Sequence, residues 1–340
     1  QTMRVFLRNH GDWDERRCWF EVGEIICRNL DNKPGLITIL SSLGLTYDDK
    51  GEYETAIQYY QMARQICEEI EDRAALARIL NNIGVVCQKQ GQWSGALLSF
   101  TESARLKAHL GDQIGLAVAL GNIGSIHFSH HEWDKALTLY EHSLSIREQV
   151  GDRSGLAVVF NNIANIYSKK GDLERSLIYY QKDLSITEEL GDQDGLATTL
   201  NNIGKVYEKY DNLQKAMEYY ERSRLIAERL GNNDSLAITL SNFGSLYDRL
   251  GDRDHALEYY NKALKLHEDA GNPAEINVIL FNMALISEEA GNYLAAESLL
   301  KRVVILEEEF QNPDVGRSMD ILKRVQLKLG QESSITNKTG

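Results

Sequence analysis

Residues 80–84 read LNNIG, and residues 200–204 read LNNIG again; between them stand LGNIG at 120–124 and FNNIA at 160–164. Asparagine is a poor residue for a helix interior, because its side chain competes for backbone hydrogen bonds. The surroundings are nevertheless helical in pattern. Residues 153–169 set Leu156, Val159, Phe160, Ile163, Ile166 and Tyr167 on one face, and residues 173–190 do the same with Leu173, Leu177, Tyr180 and Leu184. A chain that returns an unfavourable residue to such stretches has a use for it there.

The spacing of these stretches decides the architecture. Gly44, Gly84, Gly124, Ala164, Gly204, Gly244 and Ala284 stand forty residues apart without an insertion. A second column holds Gly51, Gly91, Gly171, Gly251 and Gly291, with His131 and Asp211 as exceptions. A third holds Ala56, Ala96, Ala136, Ser176, Ala216, Ala256 and Ala296, and a fourth Tyr60, Phe100, Tyr140, Tyr180, Tyr220 and Tyr260. Each block therefore carries two amphipathic helices. The turn glycines suit left-handed C-caps, and the Asp or Asn after them suits the next N-cap. Small residues in the first and third columns let paired helices approach, and the aromatic fills the adjoining hole. One pair cannot bury its own apolar face, so the blocks must stack into a solenoid. Pro34, Pro273 and Pro313 fall in predicted connections.

Composition narrows the function classes. The 340 residues carry a formal net charge of −13 and 43% hydrophobic residues. No apolar run approaches the ~18 residues that span a bilayer, and the opening residues have no signal-peptide core. Acidic balance disfavours nucleic acid and anionic membranes, whose binding rests on positive charge. Cys18, Cys27, Cys67 and Cys87 form no CxxC pair and are read as buried free thiols of a reducing compartment, which predicts a cytoplasmic location.

The pattern L-x-x-I-G-x-x-Y, then G-D, then A-L-x-Y-Y, resembles the tetratricopeptide repeat, here 40 residues long instead of the usual 34. The resemblance implies an all-α fold, a right-handed superhelix of helix–turn–helix units. The expected organisation is a truncated first unit at 1–30, seven units over 31–310, a capping helix at 311–330 and a disordered tail at 331–340. The joint sequence LGDxxGLAxxLNNIG is similar to the sensor arrays of prokaryotic STAND signalling NTPases and, less closely, to spindle-adaptor and kinesin light chain arrays. A domain or further repeats are expected before Gln1, and self-association through that open end is a further expectation.

In this family the first helix of each unit lines the concave groove. That places Asn81, Asn82, Asn122, Phe128, Asn161, Asn162, Asn165, Asn201, Asn202, Lys205, Ser241 and Asn242 on a surface for a protein or extended peptide. A carboxamide offers both a donor and an acceptor, which matches the alternating groups of a peptide backbone. The first Asn of each pair is the expected ligand contact, and the second is the one expected to tie neighbouring helices. Basic positions that would clamp a chain-terminal carboxylate are Asn or Ser apart from Arg78 and Lys205, so that mode is not expected. Rows containing Lys89, Lys209 and Arg249, and Asp48, Glu208 and Glu288, read as a solvated rim.

No phosphate loop, nucleophile elbow or dinucleotide fingerprint occurs, so neither catalysis nor a cofactor is expected. His127, His130 and His131 are close in sequence but fall in packing and turn columns, and no metal site is expected from them. The function predicted is protein recognition, as sensor or scaffold of a larger signalling protein. The alternatives are a free-standing adaptor or a regulatory segment fused to an NTPase or protease.

Overall fold

The computed structural model describes residues 13–310 and 314–339, which are all-helical with no strand among them. The part of the opening unit expected before Trp13, and Pro313, lie outside the described residues. The chain divides into two compact units, residues 1–170 and 171–340. In the first are α1 (Trp13–Asn29), α2 (Lys33–Asp49), α3 (Tyr53–Glu69), α4 (Arg73–Lys89), α5 (Trp93–His109), α6 (Gln113–Ser129), α7 (Trp133–Val150) and α8 (Arg153–Lys170). The second holds α9 (Leu173–Leu190), α10 (Gln193–Lys209), α11 (Leu213–Leu230), α12 (Asn233–Arg249), α13 (Arg253–Ala270), α14 (Pro273–Glu289), α15 (Tyr293–Glu309) and α16 (Val315–Thr339).

The turn chemistry follows the expected rule. Asp72, Asp112, Asp192 and Asp252 each accept the backbone N–H three residues on, at 2.9–3.2 Å, which satisfies one orphan donor per helix. His131 and Asp211, the two non-glycines of the turn column, adopt the same left-handed geometry at φ 60° and 62°. Pro34 and Pro273 sit in the first turn of α2 and α14 rather than in connections. That placement costs nothing, because the missing N–H would be an orphan there.

Within each unit, a first helix packs on the second helix of its own repeat and then on the next repeat. Glycine is required where the aromatic column meets it: a Cβ on Gly84 would lie 2.6 Å from the Phe100 ring, and one on Gly204 2.5 Å from Tyr220. Phe100 and Tyr220 are themselves fully buried. Serines behind them clasp the pair, as Ser103 and Ser223 donate to the Ala77 and Ala197 carbonyls at 2.7 and 2.8 Å.

α16 continues to Thr339, through the stretch expected as a tail. One expectation changes. Cys67 and Cys87 are buried, but Cys18 is exposed and Cys27 half-buried; all four are free. No helix among the described residues is long and apolar enough to cross a membrane.

Candidate functional site

The asparagine pairs lie on the first helices, and their partners differ between joints. In the second unit, Asn242 of α12 donates its amide to Asn201 Oδ1 of α10 at 2.7 Å. In the first, Asn122 of α6 donates to Asn81 Oδ1 of α4 at 3.1 Å. Both bridges join residues 41 apart. The second amide of one repeat therefore grips the first amide of the repeat before it. Asn201 is 6% exposed, so the first amide is not uniformly the outward one. At this joint both amides contribute to stacking, and a buried carboxamide needs such a partner.

The remaining positions are more open. Asn82, Asn161, Asn162, Asn165, Asn202, Ser241 and Phe128 are half-buried, and Lys205 is exposed. Asn165 turns back along α8 to donate to Asn161 Oδ1 at 2.9 Å. Asn202, Lys205, Ser241 and Asn242 are brought together in the second unit around a cavity of about 260 Å³, with Thr198 and Ile238 at its side. A larger cavity of about 680 Å³ in the first unit takes in Asn81 and Asn82, together with Ser41, Arg78 and Lys107.

The charge rows are not a loose rim. Lys89 pairs with Asp48 at 2.8 Å, and Asp48 is 7% exposed. Arg249 reaches the Glu208 carbonyl and pairs with Asp211 at 2.8 Å. Arg324 grips Glu288 through two bonds of 2.9 and 2.6 Å, and Lys328 adds a third at 2.9 Å. Lys89–Asp48 and Arg249–Glu208 share the 41-residue offset of the amide bridges. That common offset is the sequence signal that reading each row alone passed over. Glu208 also accepts from Tyr220 at 2.7 Å and Ser245 at 2.9 Å. Burial first, and then the Glu208 charge, push the Tyr220 phenol upward.

Phe128 occupies the position that holds Asp48, Glu208 and Glu288 in other repeats. The three neighbouring histidines are engaged separately. His127 contacts Glu132, His130 bonds the Ile126 carbonyl at 2.8 Å, and His131 lies edge-on to Trp133. Among the described residues no group of three or more metal-ligating side chains forms.

Tandem antiparallel helix pairs, joined by stacked first helices, define an α-helical repeat protein of the kind that scaffolds protein–protein interactions. The chain belongs to the tetratricopeptide repeat family, whose model matches residues 35–109, 115–189, 155–224 and 195–269. None of the curated proteins matches it. Solved structures of similar fold include the aspartyl phosphate phosphatase F from Bacillus subtilis, at 16% identity and TM-score 0.69, over 83% of this chain and 73% of that one. A Rap protein complexed with competence and sporulation factor is similar at 18% identity and TM-score 0.64, over 80% and 75%. The Cut9-Hcn1 hetero-tetramer of APC/C is similar at 16% identity and TM-score 0.61, over 84% and 48%. At these identities the likeness is one of fold.

Proposed function

We propose that the chain binds an extended peptide or protein segment on the faces of its first helices, as the sensor or scaffold part of a larger signalling protein. The observation that carries this reading is the second-unit cavity, where Asn202, Lys205, Ser241 and Asn242 converge beside Ile238. Amide, ammonium and hydroxyl groups there supply donors and acceptors to a peptide backbone, while Ile238, 41% exposed, offers apolar contact. The Rap relative in complex with competence and sporulation factor, and Cut9 assembled with Hcn1, support the same use of the fold.

Asn202→Ala, Lys205→Ala and Ser241→Ala combined test it, because these side chains are accessible and Asn201 is not. A pool of nonapeptides blocked at both ends, followed by fluorescence anisotropy, should bind the triple variant at least tenfold more weakly. Circular dichroism should show unchanged helicity. Equal binding by variant and parent defeats the proposal.

A further inference from the structure

The larger cavity, about 680 Å³, has a chemistry opposite to that of the chain as a whole. Its ionisable lining residues are Arg78 and Lys107, both cationic, in a protein of net charge −13. Around them stand the amides of Asn81 and Asn82 and an apolar wall that includes Trp19 and Ile39.

Lys107 is the informative residue. It comes from α5, a second helix, yet it lines the cavity and is only 5% exposed. One repeat later, Arg147 holds the equivalent position and pairs with Asp152, the N-cap of the following helix. Asp112 is the matching cap for Lys107, and it binds the Gly115 N–H at 2.9 Å without pairing with Lys107. Among the described residues no carboxylate forms an ion pair with Lys107 or with Arg78. Burial lowers the Lys107 ammonium from its ordinary value; the Asp112 charge opposes it, and the Arg78 charge adds a smaller push downward. A buried ammonium without a contact ion pair is costly, and an anion that enters offsets the cost.

We propose that this cavity receives an acidic side chain from within an extended partner peptide. Its carboxylate pairs with Lys107 and Arg78, and an adjoining apolar side chain rests on Trp19. The proposal builds on the peptide-binding reading above and adds the residue the peptide must carry. Charge complementarity selects the occupant, because a neutral or basic segment would leave the buried Lys107 ammonium without an ion-pair partner and beside the Arg78 charge.

The test uses the full chain and three pools of nonapeptides, blocked at both ends so that no terminal carboxylate contributes. The pools carry Glu, Gln or Lys at the centre and uncharged residues elsewhere. The Glu pool should bind at least tenfold more tightly than the Gln pool, and the Lys pool most weakly. Lys107→Met should bring the Glu pool to within threefold of the Gln pool. Arg78→Gln, at an exposed site, should do the same and serves if Lys107→Met loses helicity. Equal binding of the Glu and Gln pools by the parent overturns the acid pocket. So does a Glu preference that survives both variants. If the pools bind equally and the Asn202/Lys205/Ser241 variant abolishes that binding, peptide recognition stands and the acid pocket falls. If no pool binds, both fall.

Discussion

Gly244 offers a sharp test of how the repeats are packed. A Cβ at this position would lie 2.7 Å from three ring atoms of Tyr260, where ordinary contact begins at 3.4 Å. The ring is 2% exposed and its hydroxyl accepts from Asn282 at 3.3 Å, so it has little room to withdraw. Overpacking of this kind costs about 1–3 kcal/mol. Replacing a mid-helix glycine by alanine returns about 0.5–1 kcal/mol. Gly244→Ala should therefore lower stability by roughly 1–2 kcal/mol. The next repeat provides the compensating pair, for there Ala284 and Leu300 occupy the same two columns, fully buried in one cluster. In a Tyr260→Leu background the methyl should fit, and Gly244→Ala should be neutral or stabilising by up to ~1 kcal/mol. The double-mutant cycle then yields a coupling of about 1–3 kcal/mol, within the range for residues in contact. Urea unfolding followed by circular dichroism, with four proteins at equal slope, measures it. Additive effects, or stabilisation by Gly244→Ala in the Tyr260 background, refute the close-approach account.

Two further outcomes are expected. His267 is 2% exposed and neither ring nitrogen has a hydrogen-bond partner among the described residues. Burial holds its pKa below the ordinary value, against the opposing charges of Glu275 and Asp234. The unfolded chain binds the proton more readily, so stability is lost as pH falls below about 6.5. His267→Leu should gain on the parent progressively in urea melts taken from pH 7.5 down to pH 5; a pH-independent difference contradicts this. Arg324→Ala with Lys328→Ala leaves the buried Glu288 carboxylate without its cations. Breaking a buried pair costs 3–5 kcal/mol, but the partners are 54% and 41% exposed, so about 1–2 kcal/mol is expected. Hydrogen bonding by Arg324 is the main cause that keeps Glu288 below its usual pKa. The parent's advantage should therefore shrink in acid, as pH falls through the carboxylate range, and amide exchange along α16 would register it.

Much of this architecture was legible in the sequence because its determinants act within one block. Helical spacing, the Gly–Asp caps and the glycine facing an aromatic each need only residues of the same helix pair, and all recur at Gly84–Phe100 and Gly204–Tyr220. The joints between blocks were less legible. Which amide meets which depends on the stagger of adjacent first helices, and a column of like residues carries no record of it. Asn201 therefore read as outward when it is buried, and Asp48 read as solvated when Lys89 covers it. Lys107 was hidden for a different reason. Its column runs Cys67, Lys107, Arg147, Thr187, Ala227, His267 and Glu307, and a position that changes character at every turn gives periodicity nothing to report.

A chain built of equal blocks faces a particular folding error, in which a helix pair stacks against the wrong neighbour one block along. Block length offers no protection, since every block has forty residues. The two charged 41-residue clasps do. Displaced by one block, Glu208 would meet Glu289 where it now meets Arg249, and Asp48 would meet Ser129 where it now meets Lys89. Like charges or a missing partner mark those mispairings as inferior. At these two joints the side chains that hold neighbouring blocks together thus also mark which neighbour is the right one.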